Sequence, residues 1–257
     1  MNDLFSLAGR TALVTGGSRG IGRMIAAGFL AQGARVFISS RKAADCDAAA
    51  RALSAHGECR SLPADVSTLE GAHALVAALK SHTDRLDILV NNAGAAWGEP
   101  FDTFPEKGWD KVIDLNLKAP FFLTQALHGL LKAAATDERP AKVINIASID
   151  GIAVNPMETY SYAASKAGLI HMTRRMAMRL IEDRIVVSAI APGAFASDMN
   201  RVARDHGDEV ARRIPAGRIG RDDDMAGAAI YLASRAGDYV VGSTLVVDGG
   251  VIHTRGS

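Results

Sequence analysis

The chain has 257 residues, of which 48% are hydrophobic and 22% are charged. This composition is typical of a globular protein and excludes disordered, collagen-like and coiled-coil chains. The 29 basic and 28 acidic residues leave a net charge of +1. Charge therefore gives no reason to expect a nucleic acid or an anionic membrane as partner. No linker or repeat divides the chain, so we predict a single domain over residues 1–257.

The two cysteines, Cys46 and Cys59, have neither the spacing of a disulfide framework nor that of a metal site. The seven histidines are scattered without ligand spacing, so we predict no metal. Residues 1–10 carry Asp3 and lack the apolar core of a signal peptide. No apolar run reaches the roughly 18 residues that span a bilayer. These features predict a soluble, cytoplasmic protein.

Short apolar runs alternate with longer, Ala-rich helical stretches along the whole chain. Strands are predicted at Thr11–Thr15, Arg35–Ser39, Asp87–Val90, Val143–Ala147, Ile185–Ile190 and Thr244–Val247. Helices are predicted at Ile21–Gln32, Lys42–His56, Leu69–Lys80, Trp109–Ala135 and Tyr160–Ile181. The strand candidates are continuous apolar runs, which is expected when helices cover both faces of a sheet. The alternation predicts an α/β fold with a doubly wound, Rossmann-like parallel sheet, and residues 203–224 form its most polar and most mobile stretch.

A glycine-rich turn, TGGSRGIG at residues 15–22, joins the first predicted strand to the first predicted helix. Its motif glycines follow the pattern Gly16-xxx-Gly20-x-Gly22, and this spacing differs from the common GxGxxG. Backbone N–H groups in such a turn can approach a pyrophosphate, and the helix N-terminus favours negative charge. An ordinary strand-to-helix turn is the alternative interpretation, but the position of the motif favours a dinucleotide site.

Tyr162 and Lys166 are four residues apart on a predicted helix, so both side chains project from one face. A tyrosine phenol has a pKa of about 10, too high for ready proton exchange at neutral pH. We expect the nearby Lys166 ammonium to lower this pKa toward the working range. Tyr160 points about 200° away around the helix and is not expected to share this role.

Other polar or turn-forming residues follow predicted strands directly. Asn91-Asn92-Ala93-Gly94 follows one apolar run, Ser148 follows another, and Pro192-Gly193 follows a third. Ligands bind at the carboxyl edge of open α/β sheets, so these residues are expected to meet at one site.

Taken together, these motifs resemble the short-chain dehydrogenase/reductase family from Ala12 to Gly250. The motifs that carry the resemblance are TGGSRGIG, Asp65-Val66, NNAG, Asn116, Ser148, Tyr162-Ala163-Ala164-Ser165-Lys166, Pro192-Gly193 and Val247-Asp248-Gly249-Gly250. The resemblance implies a fold of seven parallel strands and an NAD(P)-dependent oxidoreductase. Within the family, the chain is most similar to 3-oxoacyl-[acyl-carrier-protein] reductases and their rhamnolipid-type relatives.

The resemblance also implies residue roles. Tyr162 would protonate the substrate carbonyl, Lys166 would lower its pKa and bind the nicotinamide ribose, and Ser148 would hold the carbonyl. Asn116 would sustain a water-linked proton relay. The residues expected to bind the cofactor are Gly16, Ser18, Arg19, Gly20, Ile21, Gly22, Ser40, Arg41, Asp65, Val66, Asn92, Ala93, Gly94, Tyr162, Lys166, Pro192, Gly193 and Ser197.

Two departures from the family pattern are visible. Ser197 stands where the family commonly has threonine, and its hydroxyl keeps the expected contact with the cofactor carboxamide. The loop between Ser148 and Tyr162 is about one residue longer than usual, which affects the shape of the substrate pocket rather than the chemistry. A substrate lid is expected at about residues 195–215, and the two long predicted helices are expected to form a homotetramer.

The second predicted strand ends in a sequence that indicates the cofactor. NAD-selective sites place an acid there to bind the ribose 2′-hydroxyl, whereas this chain has Ser40 and Arg41 and no acid nearby. A guanidinium suits a phosphate, and Arg19 in the glycine turn could approach the same group. We therefore predict NADP(H), although Arg41 could simply begin a solvated helix.

The main functional hypothesis is the reduction by NADPH of a carbonyl, such as a 3-oxoacyl thioester or a related ketone. A sugar or polyol dehydrogenase is the alternative among enzymes. A catalytically silent dinucleotide-binding regulator is the alternative outside them.

Overall fold

The computed structural model describes residues 3–254. Its strands form one parallel, seven-stranded sheet in the order β3-β2-β1-β4-β5-β6-β7. The strands are β1 (Thr11–Thr15), β2 (Arg35–Ser39), β3 (Cys59–Ser61), β4 (Ile88–Asn91), β5 (Ala141–Ile146), β6 (Ile185–Pro192) and β7 (Thr244–Val247). The prediction of a Rossmann-like α/β sheet of seven parallel strands is confirmed.

Helices alternate with the strands along the chain. They are α1 (Gly20–Ala31), α2 (Ala43–Leu53), α3 (Leu69–Lys80), α4 (Glu106–Ile113), α5 (Ala119–Ala134), α6 (Tyr160–Leu180), α7 (Arg201–Asp205), α8 (Gly207–Ala211) and α9 (Asp222–Ala233). Within residues 3–254, none of the helices is both long enough and apolar enough to cross a bilayer.

Successive side chains of the strands enter two separate apolar cores, one on each face of the sheet. Val14 packs with Phe29 of α1 in one core, whereas its neighbour Leu13 packs with Leu75 of α3 in the other. Adjacent residues of a strand point to opposite faces, so a strand covered on both sides must be apolar throughout. This explains why the strands are continuous apolar runs in the sequence.

The structure differs from the sequence prediction at the polar segments. Strand β3 has only three residues and lies at the sheet edge, where polar side chains reach solvent, so its sequence has no apolar run. Residues 203–224, predicted to be the most mobile part, contain most of α7, all of α8 and the start of α9. Three aspartates open α9, and acidic residues stabilise a helix N-terminus.

The helix predicted over Trp109–Ala135 begins earlier, at Glu106, and is interrupted. A π-helical segment, Asp114–Lys118, joins α4 to α5. Such segments are frequent at functional sites. This one carries Asn116 toward the carboxyl edge of the sheet.

Candidate active site

The site lies where the strand order reverses, between β1 and β4. β1 pairs with β2 on one side and with β4 on the other, so the connections leave a crevice at the carboxyl ends of the strands. The glycine turn follows β1, and Asn92 is the first residue after β4. Ser148 comes two residues after the end of β5, and Pro192 ends β6.

The glycine turn is closely packed and leaves the start of α1 accessible. Gly16 and Gly20 have φ of +64° and +52°, the left-handed region that side chains disfavour. A Cβ on Gly22 would lie 2.4 Å from Nδ2 of Asn92. No side chain caps the N-terminus of α1, and its first turn has no acid. Its uncapped N–H groups fit the phosphates of a dinucleotide.

Thr15, which the sequence analysis placed at the end of a strand and at the start of TGGSRGIG without a role of its own, connects the glycine turn to the NNAG segment. Its hydroxyl donates to the Val90 carbonyl and accepts from the N–H groups of Asn92 and Ala93, both at 3.0 Å. The Asn92 side chain donates to the carbonyls of Thr15 and Gly16 at 2.8 and 3.2 Å. The position of Thr15 as the first residue of TGGSRGIG is the sequence signal that could have identified this role.

Ser148 and Tyr162 form the centre of the site. Ser148 is buried, its hydroxyl accepts the N–H of Asp150 at 3.1 Å, and it lies close enough to the Tyr162 phenol to lower the pKa of that group. Tyr162 lies in the first turn of α6 and is half-buried. As the helix phase predicts, Tyr160 points away from Tyr162. The Tyr160 hydroxyl donates to Glu158 at 2.9 Å, on the exposed side of the helix.

The expectation that Lys166 lowers the pKa of Tyr162 is wrong, because this pKa is raised in the structure. Burial raises the pKa of Tyr162 to about 12, although the neighbouring Ser148 hydroxyl lowers it, and the charge of Asp150 also raises it. Burial also lowers the pKa of Lys166 to about 8. The cause is the same in both cases, since a buried site disfavours whichever form is charged.

Lys166 is held against the sheet. Its Nζ donates to the Ile146 carbonyl at 2.7 Å and lies 5.6 Å from the centroid of the Tyr162 ring. A lysine ammonium has three donors, so the bond to Ile146 leaves donors for other groups at the site.

Asn116 connects the π-helical segment to α6. Its Oδ1 accepts from the N–H of Ala95 at 2.8 Å, and its Nδ2 donates to the Ala95 carbonyl and to the Ser165 hydroxyl at 2.9 and 3.1 Å. The Ser165 hydroxyl donates in turn to the carbonyl of Tyr162 at 2.7 Å. Asn116 therefore positions the first turn of α6, and its amide oxygen and both amide protons are in use.

A buried ladder of polar side chains lies beneath these residues, and the sequence analysis did not identify it. Asn91 donates to Asn145 at 2.9 Å and to Thr124 at 3.2 Å, and Asn145 donates to Thr173 at 2.9 Å. All four residues are buried. The ladder joins α5, β4, β5 and α6, and polar residues inside otherwise apolar strands were its only signal.

The outer end of the site is open to solvent. Gly17 donates to the Ser39 carbonyl at 3.2 Å, which sets the glycine turn beside the end of β2 and hence beside Ser40 and Arg41. Arg41 is exposed and makes no hydrogen bond or ion pair with the residues that the structure describes. Arg19 is instead paired with Asp198, 2.7 Å away.

The other expected cofactor residues lie around this crevice in different environments. Asp65 is exposed and accepts from Ser67, while Val66 is buried beside it. Gly193 donates to the Val247 carbonyl, and a Cβ on it would meet Asp248 at 2.7 Å. Ser197 lies against Gly20. Ser18 lies in the turn after β1, Ile21 lies in the first turn of α1, and Ala93 and Gly94 follow β4.

A groove of about 580 Å³ lies between α1, the end of α2, the start of α9 and residues 196–204, and no predicted catalytic residue lines it. Among residues 3–254, no three His, Cys, Asp or Glu side chains come together as metal ligands would. The expected absence of a metal stays a prediction.

Comparisons with known proteins agree with this geometry. A family model described as enoyl-(acyl carrier protein) reductase matches residues 16–252. The chain is 48% identical to the rhamnolipids biosynthesis 3-oxoacyl-[acyl-carrier-protein] reductase of Pseudomonas aeruginosa, over 97% of this chain and 99% of that protein. It is 36% identical to the 5-keto-D-gluconate 5-reductase of Escherichia coli K12, over 98% and 99% of the two chains.

Solved structures of similar proteins also include NADP-bound oxidoreductases. The Pseudomonas aeruginosa RhlG/NADP active-site complex superposes with a TM-score of 0.95 at 47% identity, covering 98% of this chain and 99% of that one. A gluconate 5-dehydrogenase from Burkholderia cenocepacia, in complex with NADP and tartrate, has a TM-score of 0.90 at 34% identity, with the same coverage. The chain belongs to the short-chain dehydrogenase/reductase family of oxidoreductases.

Proposed function

We propose that this protein uses NADPH to reduce the carbonyl of a 3-oxoacyl thioester or a related ketone to a secondary alcohol. The observation that carries the proposal is the grouping of the Ser148 hydroxyl, the Tyr162 phenol and the Lys166 ammonium at the carboxyl edge of the sheet, with Lys166 Nζ 5.6 Å from the centroid of the Tyr162 ring. In this proposal, the oxygen of a bound carbonyl accepts hydrogen bonds from both hydroxyl groups.

The cofactor is NADP(H), which supplies the hydride when bound. The uncapped start of α1 and the glycine turn hold its phosphates, and Lys166 binds its nicotinamide ribose. Asp65, Val66 and Asn92 line its adenosine side, and Pro192, Gly193 and Ser197 hold the nicotinamide end. Several similar structures contain NADP, which supports this choice.

The protein's own part in the reaction is to hold the carbonyl and to supply a proton. Tyr162, with a pKa of about 12, stays protonated at neutral pH, which suits an acid that gives its proton to the carbonyl oxygen. Ser148 donates to the same oxygen and orients it. Lys166 stabilises the phenolate that remains after proton transfer. The Asn116 side chain is fully bonded, so its part in the proton relay goes through its main chain.

Apolar side chains at the mouth of the site favour an acyl substrate over a polyol. Ile152, Val154 and Met157, which follow Ser148, are exposed, as are Met199 and Val202 of the proposed lid over residues 195–215. Exposed apolar side chains that border a polar site commonly mark a binding surface. Here they suit the apolar tail of a 3-oxoacyl group, and the similar 3-oxoacyl-[acyl-carrier-protein] reductase supports this assignment.

A panel of substrates tests the proposal. NADPH oxidation is followed with 3-oxoacyl thioesters of increasing chain length, with diketones, and with ketoses and keto-gluconates. We expect the highest kcat/KM for a long-chain 3-oxoacyl thioester. Higher kcat/KM for keto-gluconates would favour the sugar alternative, which the 36% identical 5-keto-D-gluconate 5-reductases support. Binding of NADPH without turnover of any compound would favour a silent regulator.

We also propose that the protein forms a homotetramer. Its proposed location is the cytoplasm. Leu169 and Met176, on the face of α6 that packs on the sheet, are buried within the subunit. The apolar side chains left for a partner are Trp109, Phe121 and Met178, all exposed. Light scattering at micromolar concentration tests this assembly, and a monomer would contradict it.

A further inference from the structure

Asp198 connects the glycine turn to the segment that follows β6. One of its carboxylate oxygens lies 2.7 Å from Nη1 of Arg19, and the other lies 2.6 Å from Nη1 of Arg204. Arg204 also pairs with Asp205, through its Nε at 2.7 Å. One carboxylate is therefore shared between a guanidinium of the glycine turn and a guanidinium of α7.

The pair between Arg19 and Asp198 can open at little cost. The side chains are 70% and 47% exposed, so water can replace each partner, and exposed ion pairs are weak. When Arg19 leaves, Asp198 keeps its contact with Arg204. Both guanidiniums hold the pKa of the Asp198 carboxyl below its usual range, so it stays charged at neutral pH. The groove of about 580 Å³ borders all three side chains, so Arg19 has room to turn.

Arg19 has a second partner once NADPH is bound, because the sequence predicts that its guanidinium approaches the 2′-phosphate from the glycine turn. The guanidinium fork binds a phosphate with two parallel hydrogen bonds, as it does a carboxylate. NADH has a hydroxyl at this position and offers Arg19 no second anion. The carboxylate of Asp198 and the 2′-phosphate therefore compete for one guanidinium.

We propose that Asp198 is a cofactor-selectivity residue that withholds Arg19 from the 2′-phosphate and so limits the preference of this protein for NADPH over NADH. The inference rests on the proposed role of Arg19 as a phosphate ligand. It makes Asp198 a positioning residue, since it acts on the cofactor through Arg19. Asp198→Asn keeps the size of the side chain, removes the charge and releases Arg19.

The test is the direct binding of NADPH and NADH, followed by nucleotide fluorescence at low ionic strength and without substrate. Asp198→Asn is expected to lower the Kd for NADPH about two- to fivefold, the range that one exposed ion pair gives, and to leave the Kd for NADH unchanged. The matched control is Asp205→Asn, which also removes one carboxylate charge. Asp205 lies on α7 and pairs with Arg204, so this variant tests the loss of a charge beside Arg204. It is expected to change neither Kd.

The Arg19→Ala background completes the test. Arg19→Ala alone is expected to raise the Kd for NADPH, and the gain from Asp198→Asn is expected to disappear in the double variant. An equal gain from Asp205→Asn, or a gain that persists without Arg19, would overturn the role of Asp198. If Arg19→Ala leaves NADPH binding unchanged, the proposed phosphate contact itself fails. Neither result depends on the substrate assignment, since no carbonyl compound is present.

Discussion

The two ends of the site are built differently. At the catalytic end, Lys166 and Asn116 are 5% and 1% exposed, and both are hydrogen-bonded to main-chain carbonyls. At the phosphate end, the side chain of Arg19 is 70% exposed and forms an ion pair, and Arg41 is exposed without a partner in the described part of the chain. One end is fixed by the protein, whereas the other is open to the ligand.

This difference follows from the cost of moving each group. A buried polar group that loses its partner inside the protein is strongly destabilised, so the catalytic end must be complete before a ligand arrives. An exposed guanidinium exchanges its partners with water at little cost. We infer that the chemistry depends on the buried end and that the choice of cofactor depends on the exposed end. Four experiments test this division.

The largest effect is expected at the buried end, from Tyr162→Phe. This change removes the proton donor and should lower kcat about 10²- to 10⁴-fold while the Kd for NADPH changes only a few-fold, because the phenol acts in the transition state. Steady-state kinetics and nucleotide fluorescence measure the two quantities. Tyr160→Phe is the matched control and should stay active. If the two variants exchange behaviour, the assignment of the acid is wrong.

The buried ladder beneath the site should matter for stability. Asn145→Ala removes the bonds to Asn91 and Thr173 and leaves a small cavity. We expect the free energy of unfolding to fall by about 2–3 kcal/mol, measured by urea denaturation. Asn155→Ala, in the loop before α6, is the control and should change it by less than about 0.5 kcal/mol. Equal losses for the two variants would show that the ladder adds nothing.

At the exposed end, Arg41→Ala should act on one cofactor only. A charge-assisted hydrogen bond contributes about 1.5–3 kcal/mol, so the Kd for NADPH should rise roughly tenfold or more. The Kd for NADH should hardly change, since NADH lacks the 2′-phosphate. Kd values for both cofactors, from fluorescence titrations, check this. A similar loss for both would place Arg41 outside the phosphate site.

A dependence on pH is also expected, and close to neutral pH it is the smallest of the four effects. The pKa of Lys166, lowered by burial to about 8, means that its ammonium is charged below pH 8 and neutral above it. Since kcat/KM for NADPH reports the free enzyme, it should fall about tenfold for each pH unit above 8. Tyr162 has a pKa of about 12 and does not contribute in this range. A profile that stays flat to pH 10 would contradict the assignment.

Much of the fold was readable from the sequence because both faces of the sheet are covered. Continuous apolar runs identified all strands except β3, which lies at the sheet edge and needs no such run. The helix phase separated Tyr162 from Tyr160 correctly, because four-residue spacing puts side chains on one face regardless of tertiary context. The π-helical turn at Asn116 was not readable, since nothing in the local pattern distinguishes it from the helices on either side.

The sequence by itself determined the local order of the site: a glycine turn after β1, a serine after β5, and a tyrosine and a lysine on one helix face. Only the tertiary structure decided the environment of these groups. Burial raises the pKa of Tyr162 and lowers that of Lys166, and burial depends on how α6 packs on the sheet. Likewise, Arg19 and Asp198 are 179 residues apart, and their contact exists because β1 and β6 end at the same edge of one parallel sheet.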